Sequence, residues 1–211
     1  MHQQLVTILN SSDTPNHLST YFSDLYGRHF EAIGSAHSSP HRVTADDLVA
    51  VQMLSVTIPP LVSADLLLGS LGTELGVLLQ RIPFDVDLRS PAALELIEAN
   101  SPADKAWQLV RAQDGMGRTK TSKLLARKRP ALLPVIDEVV ACALEEPSNF
   151  WVALHTALSS GDFDEALASL RRAGGVPDTV TDLRVIDVAV WSSHKDAHRK
   201  CRLRTGRGSQ V

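Results

Sequence analysis

Aromatic residues make up only 5% of this 211-residue chain, and its two cysteines, Cys142 and Cys201, lie far apart without a CxxC pair. The first scarcity leaves a core to be built mainly from Leu, Val, Ile and Ala. The second excludes a four-cysteine iron–sulfur cluster and fits thiols kept reduced in the cytoplasm. Long apolar runs are missing as well. The most apolar region, Leu48 to Leu79, is broken by Pro59, Pro60, Asp65 and Glu74, short of the roughly 20 residues of a membrane span. No basic segment followed by an apolar run opens the chain, so no secretory signal is expected. Walker loops, GxSxG elbows and Rossmann fingerprints are absent from the sequence, which leaves no expected cofactor.

What remains is enough for a self-supporting fold, since 44% of the residues are hydrophobic and a chain of this length buries a sizeable core without staples. No pair of segments alternates with period two, whereas apolar residues recur at helical spacing almost throughout. One all-α domain is predicted over residues 19–203, preceded by a polar leader (1–18) and followed by a basic disordered tail (204–211). Phe22, Tyr26 and Phe30 fall on one face of a helix beginning near Leu18. Thr44 caps a helix with acids in its first turn, closed by Pro59 and Pro60. Further helices are expected over Ala64–Leu79, Pro91–Ala99 and Ala103–Ala112, behind Ser63, Ser90 and Ser101. Gly174-Gly175 reads as a helix C-cap before the turn at Pro177.

Charge is distributed unevenly. Net charge is −3, yet residues 1–114 hold 6 Lys/Arg against 13 Asp/Glu, a balance of −7. Residues 118–129 hold 6 basic residues and no acid, and residues 195–207 hold 6 more beside Asp196, so 12 of the 21 cations sit in two short patches. Patches of this kind decide where a polyanion docks.

The first patch lies within "DGMGRTKTSKLLARKRPALLPVIDEVV", Asp114 to Val140. Gly115 and Gly117 permit a tight turn with positive φ. A helix is expected from Arg118 or Thr119 until Pro130 stops it. The result is a helix, a glycine hairpin and a helix, spanning 103–129. Amides of Gly115 to Thr119 at the second helix's N-terminus form a ready anion site. On that helix Lys120, Lys123 and Arg127 share one side, and Leu124 and Leu125 point to the core.

This segment resembles the helix-hairpin-helix of the base-excision DNA glycosylase superfamily, over about residues 107–140. That family's Gly-hydrophobic-Gly hairpin grips a DNA phosphate by backbone amides, matched here by Gly115, Met116 and Gly117. "GMGRTKTSKLLARKRPALLPVID" lies on the family pattern without a gap, and Asp137 falls on the position of the essential Asp. The resemblance implies DNA as partner, bound without sequence preference through Gly115, Met116, Gly117, Arg118, Thr119, Lys120, Lys123 and Arg127. It further implies a role for Asp137 in stabilising an oxocarbenium-like sugar or orienting water after the nucleotide is flipped out. Bifunctional members carry a catalytic Lys two residues after the second glycine. Thr119 stands there, with Lys120 one step later, so no Schiff-base lyase is implied. The iron–sulfur cysteines of some members are missing, and Asp114 replaces a frequent Pro. The chain also resembles an uncharacterised bacterial family built around this segment.

Three functional readings follow. They are a non-catalytic DNA clamp, a monofunctional glycosylase using Asp137, and a helical scaffold for protein partners. At Asp137 the alternative to catalysis is an ordinary helix N-cap. His194, His198 and Cys201, at i, i+4 and i+7, are chemically capable of holding zinc. They lack a fourth ligand and are surrounded by basic charge, so no metal is expected. The aromatic residues Phe22, Tyr26 and Phe30, and Trp107, Trp151 and Trp191, read as core.

Overall fold

A computed structural model describes residues 1–34, 39–145, 147–159 and 163–198. The tail 204–211, Cys201 and most of the second basic patch lie outside the described residues. Within them the chain is all-helical. Its α-helices are α1 (His2–Leu9), α2 (Thr14–Asp24), α3 (Ala45–Gln52), α4 (Pro60–Leu68), α5 (Ser70–Gln80) and α6 (Leu94–Ile97). They continue with α7 (Pro102–Arg111), α8 (Arg118–Lys128), α9 (Glu138–Ala143), α10 (Phe150–Leu158), α11 (Asp164–Gly174) and α12 (Asp182–His194).

Two helices are enclosed by the others. Nine of the thirteen residues of α12 are buried, from Leu183 to Val190 and again at Ser192. A helix covered on all sides belongs in a core, and α12 packs against α2, α9, α1 and α11. The second enclosed helix, α8, is buried from Thr121 onward and packs against α3 and α7. Leu132, Leu133, Val135 and Ile136 are buried behind it. Their strand-like return is held by Ser122 Oγ, which donates to Pro134 O (3.3 Å) and accepts from the Ile136 amide. That return delivers the chain to the head of α9. None of the helices among the described residues is long and apolar enough to cross a membrane.

The caps follow local chemistry. Thr44 and Asp47 form a reciprocal capping box on α3, Ser101 accepts from Asp104 N on α7, and Gly175 closes α11 at φ 62°. Three expectations differ from the structure. The leader is helical, because α1 buries Leu5 and Leu9 in the core. The aromatic stripe is broken, since α2 ends at Asp24 and a 3-10 turn spans Tyr26–His29. Phe30 is thereby buried while Tyr26 is exposed. The helix expected over Ala64–Leu79 is two helices bent by 62°. Pro60 starts the first of them, which ends at Gly69.

Candidate functional site

Helices α7 and α8 are joined by a turn at 112–117 that holds both glycines. Gly115 sits at φ 72°, where a side chain is strained. A Cβ there would also stand 3.0 Å from the Pro59 ring, which rests against the turn from the α3–α4 connection. Met116 is buried and anchors the hairpin. Gly117 is the N-cap of α8 and offers no side chain to the first-turn amides. Gly115 and Gly117 are exposed, and Arg118, Thr119 and Lys120 are half-buried around them. Lys120 Nζ donates to Gly115 O at 2.9 Å, which holds a positive charge at the turn.

Beyond Lys120 the expected basic face is not a surface. Lys123 and Arg127 are buried, as are Lys128 and Arg129, which corrects the expectation that Lys120, Lys123 and Arg127 share one docking side. Lys123 Nζ donates to Leu54 O (2.8 Å) and stands 3.8 Å from Asp137 Oδ2. Arg127 Nε pairs with Asp47 Oδ1 (3.1 Å), and its other nitrogens bond Phe30 O (2.7 Å), Glu31 O and Ile33 O. Lys128 Nζ bonds Asp47 Oδ2 (2.7 Å) and Ser39 O (2.9 Å). Among the described residues no carboxylate pairs with Arg129. Its guanidinium bonds the carbonyls of Ile82 (2.7 Å), Pro40 (2.7 Å), Lys128 (2.5 Å) and Leu79, and His41 Nδ1 (3.2 Å).

These cations are structural fasteners. An Arg or Lys in the interior is tolerable only when its donors are met, and here loop carbonyls on either side of α3 and after α5 meet them. Burial still acts on the charges. It pushes Lys123 and Lys128 below the ordinary lysine range, against the opposing pull of Asp137 and Asp47 respectively, and lowers Arg129 to about 10. Asp47 is the hub, capping α3 while neutralising two cations of α8. The acidic excess of the first half of the chain therefore has an intramolecular use. Thr44 as a cap with acids in the first turn was legible, but the pairing of Asp47 with two cations of α8 was not.

Asp137 is the N-cap of α9. One carboxylate oxygen accepts from both Val139 N and Val140 N at 3.0 Å, and the other faces Lys123. Its side chain is 15% exposed. Two narrow cavities stand out among the described residues, and Asp137 and the hairpin line neither. Asp137 thus has structural partners on both carboxylate oxygens. The reading of the residues also missed a buried cluster on α12, Arg184 and Asp187 with Tyr21 and Glu31. The signal for it was the pair of charges in "LRVIDVAV", an otherwise apolar helical run.

His194 and His198 are found at the end of α12. His194 Nε2 lies 3.1 Å from Cys142 Sγ, and His198 Nε2 lies 3.6 Å from Glu138 Oε2. Among the described residues no three His, Cys, Asp or Glu side chains are arranged to hold a metal ion. Trp107 and Trp151 pack edge to face with ring centroids 5.4 Å apart, as core residues do.

No curated protein and no solved structure matches the chain. A family of unknown function, DUF6308, matches over residues 15–194, and the chain belongs to that family.

Proposed function

We propose that this protein is a non-enzymatic helix-hairpin-helix protein that contacts nucleic-acid phosphate through its hairpin alone. The observation that carries the reading is the exposed turn at Gly115 and Gly117. It opens onto an α8 N-terminus without a side-chain cap, flanked by half-buried Arg118, Thr119 and Lys120. Backbone amides and the positive end of the helix dipole suit an anion there. Contact of this kind positions a backbone without reading sequence. Lys123 and Arg127 take no part, because their charge is consumed inside. Base excision by Asp137 is not part of the proposal, since its carboxylate is engaged by the Val139 and Val140 amides and faces Lys123.

Fluorescence anisotropy with a plain duplex and with one carrying a stable abasic analogue tests this across a range of salt. A contact limited to Arg118 and Lys120 releases about two counterions, a slope of log K against log salt near −1.8. The same slope and affinity are expected on both duplexes. Preference for the abasic probe would instead favour an active glycosylase pocket, and a slope near −5 would require the whole basic run to touch phosphate.

A second reading, a helical scaffold for protein partners, is favoured by one observation. Leu61 and Leu68, one face of α4, are 86% and 88% exposed, and clustered exposed apolar side chains mark contact surfaces. Absence of DNA binding at low salt would move the account to this reading.

A further inference from the structure

A charged cluster lies in the interior between α12, α8 and the head of α9, and neither the hairpin nor the cap chemistry uses it. Arg184 and Asp187, one turn apart on α12, are both buried and paired with each other. Arg184 Nε also donates to Glu31 Oε1 at 2.9 Å, and its Nη2 donates to Tyr21 Oη. Lys123 of α8 and Asp137 of the α9 cap act on the same pair, and they face each other at 3.8 Å. Asp187 is the only ionisable side chain lining a narrow cavity otherwise made of apolar residues such as Val135, Val140, Phe150 and Leu154. Of the other helices on α12, α1 offers only His2, which contacts Ala157 O at 2.9 Å. On α11, Arg171 is tied to Asp182 and Asp164 to Arg89, while Glu165 and Arg172 are exposed.

The cluster therefore counts two cations, Arg184 and Lys123, against three carboxylates, Glu31, Asp137 and Asp187. Glu31 Oε2 is buried without a hydrogen-bond partner among the described residues. An uncompensated charge in a desolvated site is costly. We infer that the cluster holds one exchangeable proton, centred on Asp187, and that losing this proton loosens α12 from α9, with which it packs. The device is a pH-sensitive lock between α12 and the head of α9, and it stands independently of the nucleic-acid reading.

The electrostatics agree with the count. Burial pushes Asp187 up to about 7, reinforced by Asp137 and opposed by Arg184 and Lys123. Burial likewise raises Tyr21 to about 12, which keeps it a neutral phenol. Coupled groups titrate as a unit, so the apparent value belongs to the cluster. The sign follows from linkage. A carboxyl whose folded pKa exceeds its unfolded value stabilises the fold below that unfolded value, about 3.9. The advantage declines as pH rises and is gone above about 7.

Carboxyl carbon-13 NMR of the full chain from pH 4.5 to 8.5, followed by hydrogen exchange over the same range, tests the lock. One carboxyl is expected to titrate near neutrality and to be absent from Asp187→Asn. Amide protection of α12 and α9, corrected for intrinsic exchange, should fall through that same range in the native protein and stay level in the variant. If every carboxyl titrates below about pH 5, or both proteins lose protection alike, the lock is excluded. Should Asp187→Asn fail to fold, the native titration decides by itself.

Discussion

At the N-terminal end of α8, Arg118 and Lys120 stand half-buried around an exposed glycine turn. At its other end Arg127, Lys128 and Arg129 are buried against loop carbonyls and Asp47. The same residue types, on one helix, are surface charge in one place and internal fasteners in the other. The environment sets the difference. The first turn of α8 lies at the exposed hairpin, while its last turns meet Asp47 of α3 and the carbonyls of Phe30, Ile33, Ser39, Pro40, Leu79 and Ile82. The lesson is that a basic run becomes a docking face only where the fold leaves it uncovered.

The largest expected effects come from the fastened end. Asp47→Ala strands two buried cations and removes the α3 capping box. Breaking a buried pair of this sort costs about 3–5 kcal/mol, read as a lowered urea midpoint. Arg127→Met leaves Asp47 paired with Lys128 and takes the donors from the carbonyls of Phe30, Glu31 and Ile33, and should fall at the lower part of that range. Gly115→Ala meets both a positive φ and the Pro59 ring, and should lose about 1–2 kcal/mol without altering the basic residues. Asp137→Ala removes two amide bonds at the α9 cap, worth about 1 kcal/mol, and Asp137→Asn should retain most of that stability. Smallest is Lys120→Gln, within about 0.5 kcal/mol of the native protein in stability. It should still flatten the salt dependence of duplex binding by about one counterion. A stability loss from Lys120→Gln as large as that from Arg127→Met would erase the distinction between the two ends.

Helix termini were the most legible part of the sequence. Thr44, Ser101, Gly117 and Asp137 stand where they do because a cap is a local event, settled by a side chain and the next few amides. Leu124 and Leu125 were likewise readable as core from helical spacing. Burial of Lys123, Arg127 and Lys128 was not, since partners such as Leu54 and Asp47 lie far away in sequence and no periodicity encodes them. A hint existed in the crowding of six cations on a helix with two leucines, opposite an acidic first half. The bend at Gly69 and the break after Asp24 were hidden for a related reason, because packing, not propensity, decides whether a run of apolar turns continues. For the hairpin, sequence gave the turn and its flanking charges. Which of those charges remain outside depended on the tertiary fold.

The central claim, that α8 is basic inside and accessible only at its hairpin, is tested most directly by lysine labelling of the native protein with an amine-reactive ester, followed residue by residue by mass spectrometry. Lys105 and Lys195, which are exposed, and Lys120, which is half-buried, should react readily. Lys123 and Lys128 should stay unmodified until denaturant unfolds the chain. Labelling of Lys123 or Lys128 at the rate of Lys120 under native conditions would contradict the account and return the whole basic run to the surface.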